Sequence, residues 1–398
     1  MSVTKILFDG LSEGVQKSHF KYLLLACVKA FEEMGVQIDR MQIPMSKPSG
    51  LRHPKYHIIL LTYKDGDVNI MLREHELPQE YTTGLNNRLL NSPYFEILEP
   101  KQHWYRQSLN TSDTLSYDLL NNLREEGFTD YLCARIILPH GLPQVFSIVT
   151  RNKDGFPPNI LESLESFLLP FSICLFGAYQ SSVTITLAST YLGERTGRNV
   201  LDGNIFRGTQ EKIDAGIMFC DVRGFTAMSE RLGAEKVVAT MNQIFQCIEE
   251  QVCVQQGEIL KFIGDALLIV FPREDCDHDK ELGAKMIECA LNAVHEVEDL
   301  GREMDLPLSV GFGCHIGEVL YGNIGTETRL DFTVMGPAVN LTSRLESMCK
   351  SLGAQLTVSP LVAEGNQDKL TSFGFHKMKG IKEEVEVWGV PVNVDPES

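Results

Sequence analysis

The 398-residue chain is short of positive charge, with 36 Lys and Arg against 53 Asp and Glu and a formal net charge of -17 at pH 7. A protein that binds nucleic acid non-specifically needs a positive field, so the sequence argues against that class. If the substrate is itself anionic, local cations or a metal site must hold it. We therefore expect no nucleic-acid partner and look for such a site.

The sequence also lacks cysteine pairs of the kind that build disulfide frameworks or zinc sites. Its ten cysteines are scattered, several lie in apolar runs, and no C-x-x-C pair occurs. In a chain of this length that pattern is typical of reduced, buried thiols in a cytoplasmic protein.

Long apolar runs are missing too. The N-terminal segment MSVTKILFDGLSEG has no apolar stretch of the length found in signal peptides. The most apolar run is Phe167–Tyr179, thirteen residues interrupted by Pro170, whereas a membrane span takes about 20 apolar residues. These patterns predict a soluble, cytoplasmic protein without membrane insertion.

Apolar residues make up 43 % of the chain, enough for two or three domains with their own cores. Up to about residue 180, helical patterns alternate with strand pairs, which predicts an α+β domain over 1–180. The segment 181–210 is partly helical and carries four glycines, so we interpret it as a connector. Residues 211–398 form the third region, a second folded domain.

The second half has the more regular pattern. A buried strand at Asp214–Asp221, a helix at Ala234–Gln255 and a hairpin at Glu258–Phe271 are followed by a helix at Lys280–Glu303 and a strand at Leu308–Cys314. This order predicts a ferredoxin-like antiparallel α/β sandwich of the βαββαβ type, with further elements appended.

Two carboxylates occupy special places in this pattern. Asp221 ends the first apolar strand, and Asp265 sits in the Gly264-Asp265 turn of the hairpin. If the two strands are neighbours, both carboxylates emerge at one edge, where hard cations with oxygen ligands balance their charge. The alternative is an ordinary type I′ turn pair and an ordinary strand end.

Three separated segments resemble the catalytic domain of class III nucleotidyl cyclases: FCDVRGFTAMSERLG, LKFIGDALLIVF and DFTVMGPAVNLTSRLE. They occur in the order of that family, and the resemblance covers residues 213 to about 392. It implies an enzyme that makes cyclic nucleotides from nucleoside triphosphates, working as a homodimer with sites at the dimer interface. It also implies two Mg²⁺ or Mn²⁺ ions per site, held by Asp221, Asp265 and the Val222 carbonyl.

The resemblance implies that Lys261 and Thr333 bind and select the purine base of the nucleotide. A lysine can donate to the N1 acceptor of adenine, whereas guanine presents an N1–H donor, and a threonine hydroxyl can accept from the adenine amine. The pair therefore favours ATP over GTP. Arg329 and Asp331 are expected to form a structural pair nearby.

The remaining roles concern the ribose and the phosphates. Asn340 and Arg344 lie at i and i+4 of a helix, hence on one face, where the resemblance makes them the ribose-orienting group and the group that stabilises charge on the pentavalent phosphate. Lys379 matches a lysine that contacts the terminal phosphates, with Lys382 as the alternative. The segment beginning with Phe225 and Thr226 starts a helix whose N–H groups can meet the polyphosphate.

The first half has no defensible catalytic motif. Its segments EEGFTDYLCARIIL and PQVFSIVTRNKDGF resemble the GAF-like regulatory region that precedes cyclase domains in some bacteria. The sequence therefore predicts an adenylyl cyclase regulated by an N-terminal sensor that responds to a small molecule or a protein. The alternatives are a guanylyl cyclase and a non-catalytic nucleotide-binding signalling module.

Overall fold

The computed structural model of the chain describes residues 4–7, 9, 19–46, 55–76, 91–98, 102–138, 144–203, 206, 208, 210–276 and 278–392. Contacts divide the chain into two compact units, Met1–Leu187 and Ala188–Ser398. Within the described residues, the first contains a six-stranded sheet and the second an eight-stranded sheet.

The first unit is an antiparallel sheet with helices on both faces. Its strands are β1 (Arg40–Ser46), β2 (Lys55–Lys64), β3 (Asp67–Glu76), β4 (Trp104–Ser108), β5 (Asp130–Ile136) and β6 (Gln144–Thr150). Its helices are α1 (His19–Glu33), α2 (Tyr94–Leu98), α3 (Asp118–Glu125) and the larger part of α4 (Ile160–Leu192).

The strand order in this sheet is β3-β2-β1-β6-β5-β4. Alternate residues of β5 enter two apolar clusters, one shared with α1 and α4 and the other with α3. Strands β1 and β4 escaped the sequence analysis because Pro44 interrupts the first and the second is short and half-exposed. The sequence predicts a turn at His140-Gly141 between the second pair of strands, and these two residues lie outside the described residues. The GAF-like assignment stays a prediction.

Helix α4 runs without interruption for 33 residues through Pro170, so the predicted boundary near residue 180 lies inside it. Because the helix is longer than the thirteen-residue run considered above, it is long and apolar enough to cross a membrane by length and composition alone. That is weak evidence, since core helices meet the same test, and this helix buries Phe167, Phe171 and Leu175 in the first unit.

The second unit contains the remaining elements. Its helices are α5 (Glu194–Leu201), α6 (Phe225–Leu232), α7 (Ala234–Val254), α8 (Asp279–Met304), α9 (Pro337–Leu352) and α10 (Pro360–Ala363). Its strands are β7 (Gln210–Val222), β8 (Glu258–Ile263), β9 (Ala266–Pro272), β10 (Val310–Gly325), β11 (Leu330–Met335), β12 (Ala354–Val358), β13 (Thr371–His376) and β14 (Val385–Pro391).

Strands β10-β7-β9-β8 lie in that order and every neighbouring pair is antiparallel. With α7 and α8 as the crossover helices, this is the connectivity of a βαββαβ sandwich, as predicted. The two helices cover one face of the sheet through a cluster that includes Ile244, Ile287 and Phe312.

The other face is covered by the hairpin of β10 and β11, whose Val334 joins a cluster with Ile217, Leu260 and Leu268. The sequence analysis ended this strand at Cys314, whereas β10 continues from residue 310 to 325 and pairs first with β7 and then also with β11. This long strand carries β11 back over the sheet, beside β8.

Candidate active site

Asp221 and Asp265 lie together at one edge of the second sheet. Asp221 pairs in register with Ala266, the first residue of β9. Asp265 precedes Ala266 in the turn, and its carbonyl accepts a hydrogen bond of 3.3 Å from the N–H of Val222. The two strands are neighbours, as predicted, so backbone pairing alone brings the carboxylates together.

The turn that carries Asp265 is not of type I′. That type needs a positive φ at both central residues, and here only Gly264 has one, at 66°. Asp265 therefore does not adopt the left-handed conformation that a type I′ turn requires. The alternative interpretation of this residue as half of a type I′ pair is wrong.

The electrostatics of this edge favour a cation. Partial burial raises the pKa of Asp221, and the charge of Asp265 raises that pKa further. Arg223 opposes the shift, with its Nη1 3.5 Å from Asp221 Oδ2. A carboxylate whose charged form is disfavoured by a second carboxylate is stabilised when a cation enters between them.

A third carboxylate, Glu346 of α9, approaches from the other side of Arg223, at 3.0 Å from Nη2 to Oε1. Burial raises the pKa of Glu346 from 4.5 to about 7, and the charge of Asp221 adds to that shift, whereas Arg223 opposes it. Because the folded-state pKa is raised, ionisation of Glu346 lowers the free energy of unfolding as pH rises from 4.5 to about 7.

Two glycines of β10 make room for this arrangement. A Cβ on Gly311 would stand 1.9 Å from Arg223 Nη2, and a Cβ on Gly313 would stand 2.2 Å from the backbone nitrogen of Glu346. The sequence analysis missed Arg223 and Glu346. Glycines at alternate positions of a buried strand were the available signal, because they indicate that another group approaches the backbone closely.

Phe225 and Thr226 are the first two residues of α6, which begins after Gly224 with φ at 71°. The helix starts three residues after Val222, so its N-terminal N–H groups follow closely after Asp221 in the chain. Thr226 is exposed and Phe225 packs partly against the cluster under α7 and α8.

Lys261 is aimed by a bulge in β8. The register with β9 shifts between Ile259 and Lys261, so that Leu260 is buried and Lys261 stands opposite Leu268, on the face covered by β11. A bulge of this kind redirects the side chains that follow it.

There Lys261 Nζ donates to the carboxylate of Asp331 on β11, with the two side chains 26 % and 63 % exposed. The expectation that Asp331 pairs with Arg329 is therefore wrong. The reason is that β11 folds over the sheet and brings Asp331 to a lysine 70 positions earlier in the chain.

Thr333 lies two residues after Asp331 on β11, opposite Gly322, and is half-buried. Residues at i and i+2 of a strand share a face, so Thr333 and Asp331 are on the same side of β11, with Phe332 and Val334 on the other. The ion pair thus places the Lys261 ammonium beside the face that carries Thr333.

Asn340 and Arg344 are exposed on α9, one helical turn apart, as the spacing predicted. Among the described residues, neither side chain forms a hydrogen bond or ion pair with Asp221 or Asp265. Lys379 and Lys382 are exposed in the connection between β13 and β14, and nothing in the described part of the chain distinguishes between them.

The donor set fits a hard divalent cation that shares its coordination with a substrate. Within the described residues there is no group of three or more His, Cys, Asp and Glu able to hold a metal. Mg²⁺ is commonly bound by one or two carboxylates together with substrate phosphates and water. Asp221, Asp265 and the Val222 carbonyl would hold such an ion once phosphate oxygens complete its coordination.

Comparison with known proteins finds a family match within the second unit. Residues 208–391 match the family described as the adenylate and guanylate cyclase catalytic domain. An adenylate cyclase of Anabaena cylindrica is 32 % identical over 47 % of this chain and 38 % of that protein. Adenylate cyclase 1 of Rhizobium meliloti is 32 % identical over 44 % of this chain and 27 % of its own.

Among solved structures, the guanylyl cyclase Cya2 is 30 % identical, covers 48 % of this chain and 97 % of its own, and has a TM-score of 0.41. The chain spans well under half the length of the two curated relatives.

Proposed function

We propose, from the premise that residues 208–391 form a class III adenylyl/guanylyl cyclase catalytic domain, that this chain converts ATP to 3′,5′-cyclic AMP and pyrophosphate. The observation that carries the proposal is the pair Asp221 and Asp265 at one sheet edge, with the cation Lys261 on the adjoining hairpin strand. The names of the two curated relatives, both adenylate cyclases, support the choice of ATP.

In this reaction the ribose 3′-oxygen attacks the α-phosphorus, the bond from that phosphorus to the β-phosphate oxygen breaks, and the hydroxyl proton passes to solvent. Mg²⁺ or Mn²⁺, when bound, would supply positive charge that lowers the pKa of the attacking hydroxyl and offsets the charge of the phosphates. Asp221, Asp265 and the Val222 carbonyl would hold the ions, and the N–H groups at Phe225 and Thr226 bind the polyphosphate.

The exposed groups of α9 act on the other end of the substrate. Asn340 orients the ribose and Arg344 stabilises the charge that develops on the pentavalent α-phosphate, because a guanidinium stays charged and matches phosphate oxygens. Lys379 or Lys382 contacts the terminal phosphates. Lys261 and Thr333 select adenine, while guanylyl cyclase activity and nucleotide binding without turnover are the competing functions.

The first prediction is that the purified chain makes cyclic AMP from ATP with Mn²⁺ or Mg²⁺, and that Asp265→Asn lowers turnover at least about 100-fold because it removes an ion ligand without changing shape. The control is Asp214→Asn, which changes the same charge at an exposed position of β7 and should leave the rate unchanged. Product identification by chromatography with ATP and GTP in parallel checks both points. Retention of most activity in Asp265→Asn would mean that the metal assignment is wrong.

We further propose that the active form is a homodimer in which each site combines Asp221 and Asp265 of one subunit with Lys261, Thr333, Asn340 and Arg344 of the other. Large apolar side chains next to Lys261 and Thr333 in the chain are exposed to solvent. Phe262 is 58 % exposed, Ile263 47 % and Met335 46 %. Exposed apolar residues grouped around a site are typical of an interface.

Complementation tests this arrangement. Asp221→Asn and Arg344→Ala chains are each expected to be inactive, but a 1:1 mixture should recover about 25 % of the native rate, since half of the dimers would hold one intact site of two. The control mixture joins Asp221→Asn with Asp265→Asn, which damage the same half of the site and should recover nothing. Equal recovery in both mixtures, or none in either despite subunit exchange, contradicts the split site.

The first unit is proposed to regulate the second. The helix that follows the unit boundary, α5, is anchored on the catalytic unit by a buried hydrogen bond of 3.1 Å between Thr196 and Tyr321 and by the N–H of Arg195 donating to Glu258 of β8. Because Glu258 and Lys261 share β8, a rotation of α5 would move the strand that carries the purine-selecting lysine.

The corresponding prediction compares the full chain with a chain that starts at Ala188 and so keeps α5. At concentrations where both are dimeric, the rates should differ, and removal of the first unit should abolish the response to any effector of the full chain. Identical rates and identical responses to pH, bicarbonate and nucleotides would rule out regulation by residues 1–187.

A further inference from the structure

We propose that Glu346 is a positioning residue that restrains the Arg223 guanidinium from pairing fully with Asp221, and so keeps the carboxylates of Asp221 and Asp265 open to divalent ions. The inference rests on the proposed function for the identity of the ion and its nucleotide. Its observation is independent of that function, because the structure shares one half-buried cation between a carboxylate of the candidate site and a carboxylate to which no role has been assigned.

The Arg223 side chain lies between acidic groups on two different elements. Its Nη1 donates a long hydrogen bond of 3.5 Å to Asp221 Oδ2 on β7. Its Nη2 lies 3.0 Å from Glu346 Oε1 on α9, as an ion pair without hydrogen-bond alignment. The attraction to Glu346 is therefore one of charge, and it competes with the attraction to Asp221.

Glu346 is held in place because α9 is attached to the sheet on both sides of this residue. The Leu345 side chain is fully buried, and its carbonyl accepts a hydrogen bond of 2.6 Å from Thr357 Oγ1 on β12. Further along the helix, the Cys349 thiol donates to the Phe312 carbonyl of β10 at 3.2 Å. The carboxylate of Glu346 is thus carried by a fixed helix, whereas the arginine side chain that reaches it is long and rotatable.

Without Glu346, the guanidinium would find its best partner at the sheet edge. A guanidinium can bind one carboxylate through two parallel N–H groups, and Arg223 already contacts Asp221. Burial and the charge of Asp265 raise the pKa of Asp221, so this edge attracts any cation within reach. An arginine paired fully with Asp221 would occupy the oxygens that a divalent ion needs, and would compete with that ion.

The experiment measures equilibrium binding of Mn²⁺ in the presence of 3′-deoxy-ATP, which cannot cyclise, by electron paramagnetic resonance of the free ion. It is done at about pH 8, where Glu346 is ionised, since burial raises its pKa to about 7. Glu346→Gln keeps the shape of the side chain but removes its charge, and should weaken Mn²⁺ binding at least about 10-fold. The double variant with Arg223→Gln also removes the competing cation, and should bind Mn²⁺ at least as tightly as the native chain.

Two further variants serve as references. Asp265→Asn identifies the Mn²⁺ that binds at the sheet edge, because it removes one of the proposed ligands. Asp279→Asn breaks another half-exposed ion pair, the 2.7 Å contact with Arg273 beyond the far end of β9, and should leave Mn²⁺ binding unchanged. In addition, a crystal structure of metal-free Glu346→Gln should show Arg223 paired with Asp221 through two N–H groups.

A loss of fold in Glu346→Gln would not be repaired by a second substitution, so rescue by Arg223→Gln separates positioning from a structural role. Unchanged Mn²⁺ affinity in Glu346→Gln, an equal loss in the single and the double variant, or an Arg223 that does not close on Asp221 in the crystal overturns the proposal. Native Mn²⁺ binding that is insensitive to Asp265→Asn overturns it together with the metal assignment. If the native chain binds Mn²⁺ and the analogue but cyclises neither ATP nor GTP, the proposed function fails, and the Mn²⁺ affinities still decide the role of Glu346.

Discussion

The antiparallel ladder between β7 and β9 holds Asp221 and Asp265 together against the repulsion of their charges. The backbone hydrogen bond from Val222 to Asp265 and the pairing of Asp221 with Ala266 fix that proximity without any contribution from the side chains. Burial raises the pKa of Asp221, and the nearby charge of Asp265 raises that pKa further. In the proposed function a divalent ion with the substrate phosphates would relieve the repulsion, which would tie the affinity for metal and nucleotide to the register of two strands.

Arg223 partly offsets the repulsion between the two carboxylates, because its positive charge lowers the pKa of Asp221. Arg223 stands between Asp221 and Glu346, and the missing side chains of Gly311 and Gly313 allow both the guanidinium and α9 to approach. Since Arg344 lies two residues before Glu346 on the same helix, the packing that positions Glu346 also positions α9. The edge proposed to bind metal and the helix proposed to act on the transition state are thus connected through the Arg223 guanidinium and the half-buried Glu346 carboxylate.

Sequence patterns were sufficient for the βαββαβ core of the second unit and for bringing the two aspartates to one edge, because apolar runs and a two-residue turn are local signals. They were not sufficient for the partners of the charged groups. Lys261 contacts Asp331 because the uninterrupted β10 brings β11 back over the sheet. Arg223 contacts Glu346 because Gly311 and Gly313, which lie beside these two residues, have no side chains in the way. In the first unit, the continuity of α4 through Pro170 was equally hidden, since tertiary packing overrides the local preference of proline to end a helix.

The most direct test of the account is to locate the metal ions themselves. Crystals of the full chain grown with Mn²⁺ and 3′-deoxy-ATP would give anomalous scattering peaks at the manganese positions. The account predicts two peaks, each within about 2.5 Å of a carboxylate oxygen of Asp221 or Asp265 and bridged by phosphate oxygens. Nucleotide bound with no peak at this edge, or with manganese held by other side chains, would contradict the claim that the paired strands create the catalytic metal site.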